Sequence, residues 1–161
     1  MSLGAAPVID SPDQQVDVLP PSTDVRARAL LERWSACCID GAPPDRETLD
    51  VFELRPWLGH ISIYEALDGG GDFRIRLEGS RVSQMTGEDW TGRRASQVDK
   101  RFGTDLVAIM RGVLRSGSPS LHLTRIYQRE FRTAVRMLLP MRSRPGGPVD
   151  QIFMALYLDP K

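Results

Sequence analysis

Three runs of alternating apolar residues fill the C-terminal part of the chain. Leu121, Leu123 and Tyr127 share parity in the first, Val135, Met137, Leu139 and Met141 in the second, and Ile152, Met154, Leu156 and Leu158 in the third. A period of two marks a strand, because successive side chains leave opposite faces. Glu130–Arg132 and Pro145-Gly146-Gly147-Pro148 separate the runs, and connections this short join only antiparallel neighbours. The chain is committed to an antiparallel meander, which the preceding residues must extend and cover.

A hairpin upstream supplies two more strands. In the stretch from His60 to Leu67, Ile61, Ile63 and Glu65 alternate with Ser62 and Tyr64. Asp68-Gly69-Gly70-Gly71 makes the turn. Phe73, Ile75 and Leu77 then alternate with Arg74 and Arg76. Gly79 ends this strand, Ser80 is placed to cap a helical turn over Arg81–Thr86, and Gly87 and Gly92 mark further turns. A strand that continues through such turns lays them back across its own sheet and forms a cup. After Arg93 the spacing gives a loop. From Thr104 it predicts the clearest helix, with Leu106, Ile109, Met110, Val113 and Leu114 on one face and Gly117 as the stop.

The N-terminal part is less regular. Residues 1–23 hold Pro7, Pro12, Pro20 and Pro21 among polar residues and read as a tail or linker. A helix is expected from Asp24 to Ile39, capped by Ser22 or Thr23, with Val25, Ala29, Leu30, Trp34, Cys37 and Cys38 as its apolar stripe. A second is expected from Pro43-Pro44-Asp45, carrying Leu49, Phe52 and Leu54, and ending at Pro56. The sum is an α+β domain over residues 24–161: a five-stranded antiparallel sheet with helices on one face, plus N-terminal helices.

Composition removes several function classes. The 161 residues carry 21 basic and 21 acidic side chains. No net field therefore favours nucleic acid or an anionic membrane, and neither partner is expected. Nothing approaches a membrane-spanning run or a secretion signal. Cys37 and Cys38 are chain neighbours and read as reduced packing residues, so a cytoplasmic protein is expected. His60 and His122 are the only histidines and have no metal-ligand spacing. The glycine run joins antiparallel strands rather than opening a helix, so it is not a phosphate loop. Glu88-Asp89 reads as a turn or cap, no nucleophile motif is present, and enzyme activity is not expected.

The residues resemble a PAS domain, and more narrowly a bacterial, nearly stand-alone PAS-type family. The likeness rests on Leu31–Trp34, on Leu54-Arg55-Pro56-Trp57-Leu58, on Phe73 through Ser80, and on Thr86-Gly87-Glu88-Asp89-Trp90-Thr91-Gly92. It implies a sheet and helices that enclose a cavity, used to sense a small molecule or to mediate dimerisation and signalling. The cysteine-bearing helix of light-sensing flavin PAS domains is missing, which argues against a photochemical adduct and leaves a non-covalent flavin open. A haem is disfavoured, since neither histidine falls on the long helix.

On this reading the chain is a sensory module that binds a small, largely apolar ligand. The cavity is expected to be lined by Ile63, Phe73, Ile75, Met85, Trp90, Ile109, Met110, Leu123, Met137 and Met154, which are also what a filled core would contain. Arg125 shares parity with Leu121 and Leu123, and is either an anion anchor inside the cavity or an arginine that reaches the rim. The alternative is a packed-core interaction module, in which helix 24–39 pairs with a second copy or with a separate signalling protein.

Overall fold

The computed structural model describes residues 13–50, 52–126 and 132–159. Tyr127 and most of the expected turn at 130–132 lie outside them, as does most of the expected tail. Among the described residues the elements run β1 (Asp13–Val16), α1 (Val25–Cys37), a single 3-10 turn (Arg55–Trp57), β2 (Ile61–Leu67), β3 (Asp72–Leu77), α2 (Ser80–Thr86), α3 (Ala95–Phe102), α4 (Leu106–Ser116), β4 (Ser120–Ile126), β5 (Arg132–Arg142) and β6 (Val149–Leu158). The strands form one antiparallel sheet in the order β1-β4-β5-β6-β2-β3.

The expected α+β class is what forms, with a sixth strand. Residues 13–16, inside the stretch expected as a tail, pair with β4 from Asp13↔Thr124 to Val16↔Leu121. No apolar alternation announces this strand, because it is four residues long at the sheet edge and carries Asp-Gln-Gln.

Helices cover both faces of the sheet rather than one. Against one face, Ala27, Leu30 and Trp34 of α1 pack with Val135, Met137, Leu139, Phe153 and Tyr157. Against the other, α2, α3 and α4 pack with Tyr64, Phe73, Ile75, Leu138, Ile152 and Leu156. Two covered faces explain why β5 and β6 are buried at nearly every position instead of every second one. Trp34 anchors α1 by donating Nε1–H to the buried carbonyl of Pro140 at 2.9 Å. The helix is capped by the Asp24 carboxylate, which accepts from the Arg26 amide at 2.9 Å, and not by Ser22 or Thr23.

Two further expectations change. The helix expected from Pro43 is a pair of separate turns. Asp45 Oδ1 accepts from the amides of Glu47 and Thr48 at 3.0 and 2.9 Å, and Asp50 Oδ1 accepts from the Glu53 amide at 3.0 Å. Aspartates that satisfy nearby amides in this way compete with a continuous helix. The loop expected after Arg93 contains α3. Gln97 reaches back to accept from the Arg94 amide at 2.9 Å, and Gly103, at φ 68°, ends the helix.

The stretch from Phe73 to Arg93 folds back on itself. The Ile75 amide donates to the Arg93 carbonyl at 2.8 Å and the Gly92 amide to the Ile75 carbonyl at 2.7 Å. The turns thus return to β3, occupy part of its free edge, and wall the cup.

Candidate functional site

A cavity of about 360 Å³ lies between the sheet and the segment from α2 to the start of α4. Its volume falls within the range of small-molecule sites, about 300–1,000 Å³. Apolar walls come from Val82 of α2, Trp90, Val98 and Phe102 of α3, Leu106 of α4, and Met154 and Leu156 of β6. Trp90 and Phe102 meet edge to face, with ring centroids 5.8 Å apart, and the Arg93 guanidinium lies 4.5 Å from the Trp90 ring centre. The indole Nε1–H of Trp90 is buried and has no partner among the described residues.

Strand register makes one end of the cup polar. Side chains directly opposite in an antiparallel sheet share a face. Pairings His122↔Arg136, Gln15↔His122 and Asp13↔Thr124 therefore put these five polar residues on the same face as Met154 and Leu156. Asp13 Oδ1 accepts from Arg136 Nη2 at 2.6 Å, while Asp13 Oδ2 meets His122 Nδ1 at 3.0 Å. On its other side His122 Nε2 is 2.6 Å from Ser120 Oγ. An ionised Asp13 only accepts, which places the ring proton on Nδ1. Burial works to raise the Asp13 pKa, but the His122 hydrogen bond and the Arg136 charge outweigh it and hold the carboxyl below its ordinary range.

Glu78 and Tyr64 complete the polar lining. Burial, with Asp89 nearby, pushes the Glu78 carboxyl above its usual range despite the hydrogen bond it accepts from the Trp90 amide. Burial likewise raises the Tyr64 phenol, which stays protonated.

The Ser120–His122–Asp13 chain has the connectivity of a hydrolytic triad. However, His122 is 2% exposed, and neither His122 nor Ser120 lines the cavity. Geometry therefore gives it a scaffolding role, holding β1 to β4. Among the described residues no group of three His, Cys, Asp or Glu side chains is placed to hold a metal, and no helix is long and apolar enough to cross a membrane.

Of the residues expected to line the cavity, Trp90, Arg125 and Met154 do so. Phe73, Ile75 and Met110 are fully buried in the core beneath the same helices, and Ile109 packs beside them. Met85 belongs to that core but borders a different cleft. Ile63, Leu123 and Met137 lie on the opposite face, under α1. For Met137 the reason is register: Leu138, not Met137, stands opposite Met154. Parity within one strand defines two sets of residues without saying which set faces the cup. The polar residues Asp13, Glu78, Thr124 and Arg136 were not anticipated. Their only sequence signal is the His122–Thr124–Ile126 parity opposite the apolar set of the same strand.

The second cleft, about 390 Å³ and more open, is bounded by Asp24, Arg26, His60, Arg81 and Tyr157. His60 stacks on Tyr157 with centroids 4.1 Å apart, and Asp24 and Arg26 pair with each other at 2.9 Å. The Tyr157 hydroxyl of this cleft is buried without a partner among the described residues.

A single antiparallel sheet with helices folded over one face around a small cavity is the arrangement that the resemblance to a PAS domain implied. Residues 23–155 match the PAS domain family, and the chain belongs to that family. No curated protein matches it. Among solved structures it is similar to an RNA-binding Light-Oxygen-Voltage receptor, at 16% identity and a TM-score of 0.47, over 76% of this chain and 37% of that one. The RNA binding belongs to that receptor. Both cysteines of this chain sit at the end of α1, with Cys37 buried in the core of the opposite face, so no thiol stands in the cavity wall.

Proposed function

We propose that this chain is a sensory PAS module that takes a small, largely apolar molecule into the cavity between its sheet and α2–α4. Occupancy is signalled through contacts with a separate protein. The observation that supports this reading most is the cavity itself: apolar walls from Val82, Trp90, Val98, Phe102, Leu106 and Met154, with Arg125 and Arg136 among its polar lining.

Less supports the packed-core module that pairs through α1. Ala27, Leu30 and Trp34 are already spent within the chain, against the sheet. A non-covalent flavin is one occupant to look for, without an adduct-forming thiol.

Native mass spectrometry together with an absorbance spectrum of the freshly purified protein tests the reading. A single small molecule per chain, or a thermal shift with an apolar probe, is expected. No co-purified molecule and no thermal shift across a metabolite panel would contradict it.

A further inference from the structure

The Asp13–Arg136 ion pair places a charge from the N-terminal edge strand in the wall of the cavity. Asp13 divides its carboxylate, one oxygen to Arg136 and the other to His122. Arg136 is therefore not engaged by the two-pronged contact its guanidinium favours. Asp13 accepts from its Nη2 alone, and Arg136 is among the residues that line the cavity. A carboxylate entering the cavity finds a guanidinium that Asp13 engages through one nitrogen.

Charge decides what happens next. The lining carries three carboxylates, Asp13, Glu78 and Asp105, against two guanidiniums, Arg125 and Arg136. An anion added beside Asp13 increases an existing negative excess in a poorly screened site. An anion that replaces Asp13 leaves the sum unchanged. A neutral ligand needs no such exchange.

The strand that carries Asp13 lies at the edge of the sheet, tied to it by the Asp13 contacts with His122 and Arg136. β1 is four residues long and, among the described residues, pairs only with β4. Val18, just beyond it, is 76% exposed, and the chain is next fixed at buried Leu19, where Arg28 Nη2 donates to the Leu19 and Pro20 carbonyls. Segments with few buried apolar contacts open most readily; in β1 only Val16 packs against the core, and only partly.

We propose that the ligand of this cavity is an amphipathic small molecule with a carboxylate head, that the head takes Arg136 from Asp13, and that the release of β1 is the signal. This rests on the cavity reading above. It adds the ligand's charge and the element that moves.

The test compares octanoate with 1-octanol on the full chain, by calorimetric titration and by hydrogen exchange over residues 13–16 and 121–124. Both probes are expected to bind, and only octanoate is expected to speed exchange in the two segments. Asp13→Asn, which removes the competing charge, is expected to tighten octanoate severalfold. Arg136→Gln is expected to weaken octanoate about tenfold or more while sparing octanol, and Arg136→Lys, which keeps charge without the fork, to fall between. Octanol binding with octanoate excluded, unchanged exchange on octanoate binding, or Asp13→Asn without tighter binding would each overturn the proposal and leave the cavity reading standing. Failure of both probes to bind would overturn both.

Discussion

Gly79 lies against Gly59 with no space between them for a β-carbon. An added Cβ on Gly79 would stand 2.3 Å from the Gly59 carbonyl oxygen and 2.7 Å from that of Ile61. The same Gly59 carbonyl accepts from the Arg81 amide at 2.8 Å, fixing the start of α2 over the end of β3. The contact between these two glycines sets where the wall of the cup begins.

Gly79→Ala is therefore predicted to destabilise the protein by about 3 kcal/mol or more, or to prevent folding, because the atoms in the way are backbone. Gly112, on α4, has nothing within 4 Å of an added Cβ. There an alanine is predicted to stabilise by about 0.5–1 kcal/mol, by removing a helix-interior glycine. Urea unfolding of the two variants checks both signs.

Asp159 gives a pH-dependent prediction. The residue is 3% exposed, both carboxyl oxygens lack a hydrogen-bond partner among the described residues, and burial pushes its pKa up to about 6 from 3.8, against the pull of Arg132. The folded carboxyl holds its proton more tightly than the unfolded one, so its ionisation penalises folding. That penalty is absent below about pH 3.8, grows as pH rises to about 6, and persists above. Asp159→Asn is predicted to be more stable than the parent near pH 7.5, by up to about 3 kcal/mol, and to lose that advantage near pH 4. Denaturation midpoints at the two pH values are the check; an advantage of equal size at both would contradict the assignment.

α1 is predicted to be a structural part of the domain. Trp34→Phe removes the hydrogen bond to the Pro140 carbonyl and leaves that acceptor buried, at a cost of about 1–3 kcal/mol. Trp34→Ala adds a cavity, for a total of about 3–5 kcal/mol. Deleting residues 1–40 bares one face of the sheet and is predicted to abolish cooperative unfolding. A truncated chain that unfolds cooperatively as a monomer would contradict this.

The contrast between elements shows what the sequence could convey. α4 was legible because its apolar residues occupy one face at helical spacing and Gly117 stops it. The meander was legible through parity and its glycine-proline turn. β1 was not, because edge pairing uses backbone groups and Asp-Gln-Gln carries no apolar alternation. The assignment of Met137 to the cavity failed because facing is set by register with β6, which residues within β5 do not encode. The polar end of the cup escaped notice for a related reason: Asp13, His122 and Arg136 are far apart in sequence, and strand order alone brings them together.

The central claim, a ligand-accepting cavity on the α2–α4 face, is tested most directly by the methionine methyl groups. Met154 lines the cavity, whereas Met137 and Met141 pack under α1 on the other side of the sheet. With ¹³C-methyl methionine and assignment by single Met→Leu substitutions, 1-octanol is predicted to shift the Met154 resonance in a saturable way and to leave those of Met137 and Met141 in place. A silent Met154, or shifts confined to Met137 and Met141, would contradict the account.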